Sequence, residues 1–81
     1  MSRYNVIVSK ATGGSCEVFQ ANIQAYKREL VITLADKQAG APTLKQLQAA
    51  NKALTRAFPS WCLKQIKQGP KNGLLYFEGH Q

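Results

Sequence analysis

The segment from Thr43 to Pro59 constrains the fold of this chain more than any other. Thr43-Leu44-Lys45-Gln46 has the form of a capping box, in which a hydroxyl and a glutamine amide satisfy two N–H groups left unpaired at a helix start. Leu44, Leu47, Ala50, Leu54, Ala57 and Phe58 recur at helical spacing and predict a buried stripe. Pro59 disfavours helical geometry at Phe58 and ends the helix there. A helix with one apolar stripe needs a second layer to bury it, so the flanking segments must supply a sheet.

Those segments read as strands. Tyr4-Asn5-Val6-Ile7-Val8-Ser9 is rich in β-formers and predicts a first strand, with Gly13-Gly14-Ser15 as the turn that follows. From Glu17 to Ala25 the chain alternates. Phe19, Ala21, Ile23 and Ala25 are expected to face the core, with Val18, Gln20, Asn22 and Gln24 on the opposite, polar side. Tyr26-Lys27-Arg28-Glu29 links to a third strand, Leu30–Leu34, whose Leu30, Ile32 and Leu34 face inward. After the helix, Trp61–Lys67 and Leu74–Glu78 form a hairpin across Gly69-Pro70-Lys71-Asn72-Gly73, with Asn72-Gly73 suited to a tight turn. No internal repeat is apparent. The expected fold is α+β, a two-layer sandwich of order β-β-β-α-β-β, with one helix packed on one face of an antiparallel sheet. Residues 1–81 make a single small domain, with a frayed tail from about Gly79.

Charge is the other marked feature. Between Lys37 and Phe77 there are seven cations and no carboxylate; Glu17, Glu29, Asp36 and Glu78 all lie outside that window. The net charge is +7, with an isoelectric point near 9.8. Such an unneutralised field favours phosphate backbones or acidic protein surfaces. Lys45, Gln48, Lys52 and Arg56 fall on one exposed helical face and form the first candidate surface. Lys64, Lys67 and Lys71, with Asn72 and with Trp61 and Tyr76 near in sequence, form the second. Trp61 is expected to plug the core and Tyr76 to be half-buried. Whether the two patches point the same way is open at this stage. The polar side of Gln20, Asn22 and Gln24 offers a third surface, for self-association.

The residues that carry chemistry are sparse. His80 sits next to the chain end, where a general base is not held against a substrate. One histidine, two separated cysteines and four dispersed acids form no metal-ligand pattern. Gly13-Gly14-Ser15 is followed by a strand, so it lacks the helix N-terminus of a phosphate loop. Cys16 and Cys62 have no CxxC spacing and are expected to be free thiols. No enzyme, cofactor or metal is expected. No apolar run approaches the roughly 20 residues that span a bilayer, and no apolar signal region precedes the first strand, so a cytoplasmic protein with no membrane partner is expected.

Several local patterns carry a resemblance. Met1-Ser2-Arg3 leads directly into the first strand, Gly14-Ser15-Cys16-Glu17-Val18 opens the second, and Lys71-Asn72-Gly73-Leu74-Leu75 turns into the last. In this layout the chain resembles the small phage-encoded anti-CRISPR proteins that inhibit type I surveillance complexes. The resemblance implies a stoichiometric blocker without catalytic residues, acting on a protein or nucleoprotein complex in the cytoplasm of a bacterial host. Many such inhibitors are acidic mimics of DNA. This chain is basic, and no functional residue carries over. The expected function is therefore a small binding protein that docks through its basic surfaces. The alternatives are direct nucleic-acid binding through the same residues and a structural or self-associating module; the chain itself is a monomer or homodimer.

Overall fold

The computed structural model describes residues 3–38 and 40–79. They form helix α1 (Arg3–Ala11), strands β1 (Cys16–Gln24) and β2 (Glu29–Asp36), helix α2 (Leu44–Ala57), and strands β3 (Trp61–Gln68) and β4 (Gly73–Gly79). The sheet order is β1-β2-β4-β3, antiparallel throughout. The α+β class and antiparallel sheet are as expected, but the element order begins with a helix, and two helices cover one face of four strands.

The first segment overturns the strand expected over residues 4–9. Its β-branched residues cost only a few tenths of a kcal/mol each in a helix. Two other signals outweigh them. Tyr4, Ile7, Val8 and Ala11 repeat at i, i+3, i+4 and i+7, so one face packs on the core, where Val8 is fully buried. Gly13 and Gly14 then close the helix rather than a hairpin. The Gly14 N–H donates to the Ser9 carbonyl at 2.7 Å and the Gly13 N–H to the Lys10 carbonyl at 3.4 Å, the paired bonds of a Schellman cap. Gly13 has φ +64°, a left-handed value that favours glycine.

The core is one cluster: Val8, Cys16, Leu30, Ile32, Leu34, Leu47, Ala50, Leu54, Trp61, Leu75 and Phe77. Trp61 plugs it and Tyr76 is half-buried, as expected. Strand β1 departs from its simple alternation. A bulge between Val18 and Gln20 moves Val18 opposite Leu34 and onto the core, while Phe19 is left 74% exposed. Ala21 and Ile23 do align with buried Ile32 and Leu30, yet both are exposed. Nine helical residues rise about 14 Å, whereas a nine-residue strand runs about 30 Å, so α1 cannot cover the length of β1. The side chain of Ala25 lies outside the described set.

Other boundaries also shift. Leu44 and Ala57, at the two ends of α2, are exposed, and the buried stripe narrows to Leu47, Ala50 and Leu54. The β3–β4 turn is Gly69-Pro70-Lys71-Asn72, closed by the Gly69 N–H on the Asn72 carbonyl at 2.8 Å. Gly73 is already in β4, opposite Gln68, so Asn72-Gly73 is not the turn itself. Gly79 is not a frayed end: it pairs with Trp61, and its N–H donates to the Arg28 carbonyl at 3.0 Å.

The architecture is duplicated. The order of elements repeats, α1-β1-β2 followed by α2-β3-β4, and the last strands of the two halves, β2 and β4, pair antiparallel at the centre of the sheet. Each unit carries a bulge in its first strand, at Val18/Gln20 and at Leu63/Gln65. The repeat lies in the pattern of elements.

Candidate anion-binding surface

α2 begins as its sequence dictates. The Gln46 N–H donates to Thr43 Oγ1 at 3.1 Å, and the Thr43 N–H donates to Gln46 Oε1 at 2.8 Å, completing the capping box. Gln46 Nε2 also donates to Ser15 Oγ at 3.0 Å and Asp36 Oδ2 at 2.9 Å. The N-terminus of α2 is thereby tied to the ends of β1 and β2, and the Asp36 carboxylate sits where a helix dipole favours negative charge. With Leu47, Ala50 and Leu54 turned to the sheet, helical geometry turns Lys45, Gln48, Lys52 and Arg56 to solvent, and all four are exposed.

α1 adds two cations that the strand reading concealed, Arg3 and Lys10, both exposed. The signal for them was the helical spacing of Tyr4, Ile7, Val8 and Ala11. The Arg3 guanidinium lies 5.0 Å from the centre of the Phe58 ring, which itself meets Tyr4 at 5.2 Å. Between the helices runs an open groove of about 310 Å³ lined by Ile7, Lys10, Ala11, Ala53, Arg56 and Ala57. Each helix gives the same i, i+3, i+4 set, an apolar floor with one cation on either rim. Neither helix contains Asp or Glu, so the helical layer presents Arg3, Lys10, Lys45, Lys52 and Arg56 without a neutralising carboxylate of its own.

The second patch faces elsewhere. In the β3–β4 register Lys67 lies opposite Leu74, on the side of the sheet away from the helices. Lys64, at the β3 bulge, places Nζ 3.8 Å from Glu29 Oε2, so it is not the unpaired cation that the sequence suggested. Both groups are partly solvated, and the pair is worth little. Lys71 is exposed in the turn. The seven-residue candidate set therefore splits: Lys45, Gln48, Lys52 and Arg56 are together, while Lys64 and Lys67 are on the opposite face and Lys71 is at one end.

Carboxylates follow the reverse distribution. Glu17 aligns with Ala35, Glu29 with Glu78, and these three acids belong to the open sheet face, with Gln20, Asn22 and Gln24. The molecule is polarised, with a basic helical layer on one side and a mixed-charge sheet on the other.

Among the described residues no group of three or more His, Cys, Asp or Glu is placed to hold a metal, and no helix is long and apolar enough to cross a membrane. His80 lies outside the described residues. Both cysteines are free: Cys62 is exposed, whereas Cys16 is buried, and burial pushes its thiol pKa upward. A small apolar hollow lined by Tyr4, Leu30, Leu54, Phe58, Trp61 and Phe77 holds about 10 Å³, room for no more than one water. A polar hollow bordered by Gly13, Gly14, Ser15, Asp36, Lys37 and Gln38 opens beside the α1 cap, but the N–H groups of Gly13, Gly14, Ser15, Lys37 and Gln38 are already donated to backbone or side-chain oxygens. No protein-family model, characterised protein or solved structure matches the chain.

Proposed function

We propose that this protein is a non-enzymatic binding module that docks its helical layer on the anionic surface of a nucleoprotein complex. The observation that carries this reading is the segregation of charge: five exposed cations on two helices without a carboxylate, and three of the four acidic side chains on the opposite face. An exposed helix usually interleaves both signs, and a face of one sign steers association with the other. The apolar floor between Lys10 and Arg56 gives the same face a component that excludes water, which contact with a protein requires. The resemblance to anti-CRISPR inhibitors of type I surveillance complexes fits this mode of action, a blocker that works by occupancy. The test is purification from a host that carries such a complex, with mass spectrometry of what co-elutes. A stoichiometric complex that is lost in Lys52→Glu/Arg56→Glu supports the reading; recovery of the bare protein alone refutes it.

Direct nucleic-acid binding is the second reading, favoured by the run of Lys45, Lys52 and Arg56 along one side of a 14-residue helix. It predicts a log–log salt slope of about −3 to −4 on a short duplex, since each neutralised phosphate contributes about −0.9. A salt-insensitive or undetectable interaction with both duplex and single strand removes it.

A further inference from the structure

We infer that β1 is a self-association edge, pairing antiparallel with β1 of a second copy to make a continuous eight-stranded sheet. The sheet order leaves two edges, β1 and β3. Edge strands template further pairing unless charge, proline, a bulge or a covering segment prevents it. β3 is guarded by Lys64 and Lys67 and by its bulge. β1 is treated differently along its length. Its bulged beginning is closed, because the Val18 N–H already donates to Asn5 Oδ1 at 2.8 Å. Past the bulge, Gln20-Ala21-Asn22-Ile23-Gln24 has no charge and no proline.

The side chains around that stretch are apolar and open to solvent. Phe19 is 74% exposed, Ile23 37%, and Tyr26, just past the strand end, 87%. Large exposed apolar groups flanking an unguarded edge are what a pairing surface needs and what a solvated edge avoids. The occupant best matched is a second copy. With the dyad at Asn22, Gln20 faces Gln24 of the second copy and Ala21 faces Ile23, so no like charges meet. Phe19 and Tyr26 each offer on the order of 150 Å². Doubled by symmetry, with Ile23 and the backbone, this approaches the low end of stable interfaces, about 1,200 Å² in total. An interface at this small end of the range is weak, and we expect it to dissociate at micromolar concentrations.

Antiparallel pairing of identical strands requires a two-fold axis normal to the sheet. Both helical layers then lie on the same side, and the cationic face is doubled in extent. This inference does not depend on the binding proposed above, but it would add avidity to it.

The experiment is sedimentation equilibrium from about 5 to about 500 µM, across the micromolar range. The wild-type chain is expected to move from 8.9 kDa toward twice that mass. Ile23→Lys, at an exposed position, is expected to weaken the dimer at least tenfold with an unchanged circular dichroism spectrum. Ala21→Pro, which removes an N–H from the outer edge because Asn22, opposite Val31, turns its own N–H toward β2, is expected to do the same, and Gln65→Lys on β3 should leave the dimer intact. A wild-type chain that stays monomeric at the highest concentration overturns the inference. So does a dimer that survives Ile23→Lys while retaining the wild-type spectrum.

Discussion

Leu47 and Gly73 provide the sharpest test of how the helical layer is seated. Leu47 is fully buried beneath α2, and a Cβ built on Gly73 would come within 2.6 Å of its Cδ2, 2.9 Å of Cδ1 and 3.2 Å of Cγ. Gly73→Ala alone must therefore displace the leucine side chain, an overpacking cost of about 1–2 kcal/mol. Its conformation adds no penalty, because Gly73 is not among the positive-φ glycines. Leu47→Ala alone leaves a cavity and should cost about 3 kcal/mol, within the usual range for a buried leucine. Combined, the two changes repair each other: the atoms that would clash are gone, and the new methyl occupies part of the void. The double variant should lose about 2–3 kcal/mol rather than the 4–5 of the sum, a coupling of about 2 kcal/mol. A domain of this size has roughly 4–12 kcal/mol of stability, so every corner of the cycle can be measured. Urea unfolding followed by circular dichroism and by the fluorescence of buried Trp61 gives the four values. Additivity within about 0.5 kcal/mol would refute the packing of α2 on β4, and with it the outward direction of Lys45, Lys52 and Arg56.

Smaller perturbations test other elements. Arg28 has φ +52° between the 3₁₀ turn Ala25–Lys27 and β2, so Arg28→Gly should stabilise by about 0.5 kcal/mol, the relief of a left-handed side chain less the added unfolded entropy. Destabilisation in a thermal melt would contradict this. Thr43→Ala removes the capping hydroxyl and should cost about 1 kcal/mol, whereas Thr43→Ser should cost almost nothing. A thiol reagent should modify Cys62 in the native protein within seconds and Cys16 only on unfolding; equal rates would show that Cys16 is not enclosed. Burial raises the Cys16 pKa above its ordinary value of 9.0, so its contribution to stability is full below that pH and falls as pH rises through the native value. Cys16→Ala should flatten the alkaline loss of stability, and an unchanged slope would exclude this thiol as its source.

What the sequence makes legible is the part in which local chemistry and tertiary need agree. The capping box, the Phe58-Pro59 stop, inward-facing Leu30, Ile32 and Leu34, and the β3–β4 hairpin all show this agreement, and all appear in the fold. The segment from Tyr4 to Ser9 is where they part. Its residue types favour a strand, while its apolar spacing and the glycine pair after it specify a helix, and packing of Val8 decides the outcome. The bulge after Val18 was equally hidden, because alternation alone predicts an unbroken register. At the candidate surface, α2 was legible from its period. The separation of Lys64 and Lys67 from it was not, since which face a hairpin cation takes depends on a second bulge, at Leu63/Gln65. Arg3 and Lys10 were missed with the helix that carries them.

The claim that the helical layer is the contact surface can be tested by opposed charge reversal. Lys52→Glu/Arg56→Glu inverts charge on the helices, and Lys64→Glu/Lys67→Glu makes the same change in net charge on the opposite side of the sheet. Each is assayed by titration against the co-purified partner, or against a short duplex where nucleic acid alone is recovered, at two salt concentrations. The helical pair is expected to weaken binding by a factor of roughly 100, about 2.7 kcal/mol, and the sheet pair by less than about threefold. Equal losses would mean that net charge alone governs binding. A larger loss from the sheet pair would place the contact on the wrong face and contradict the account.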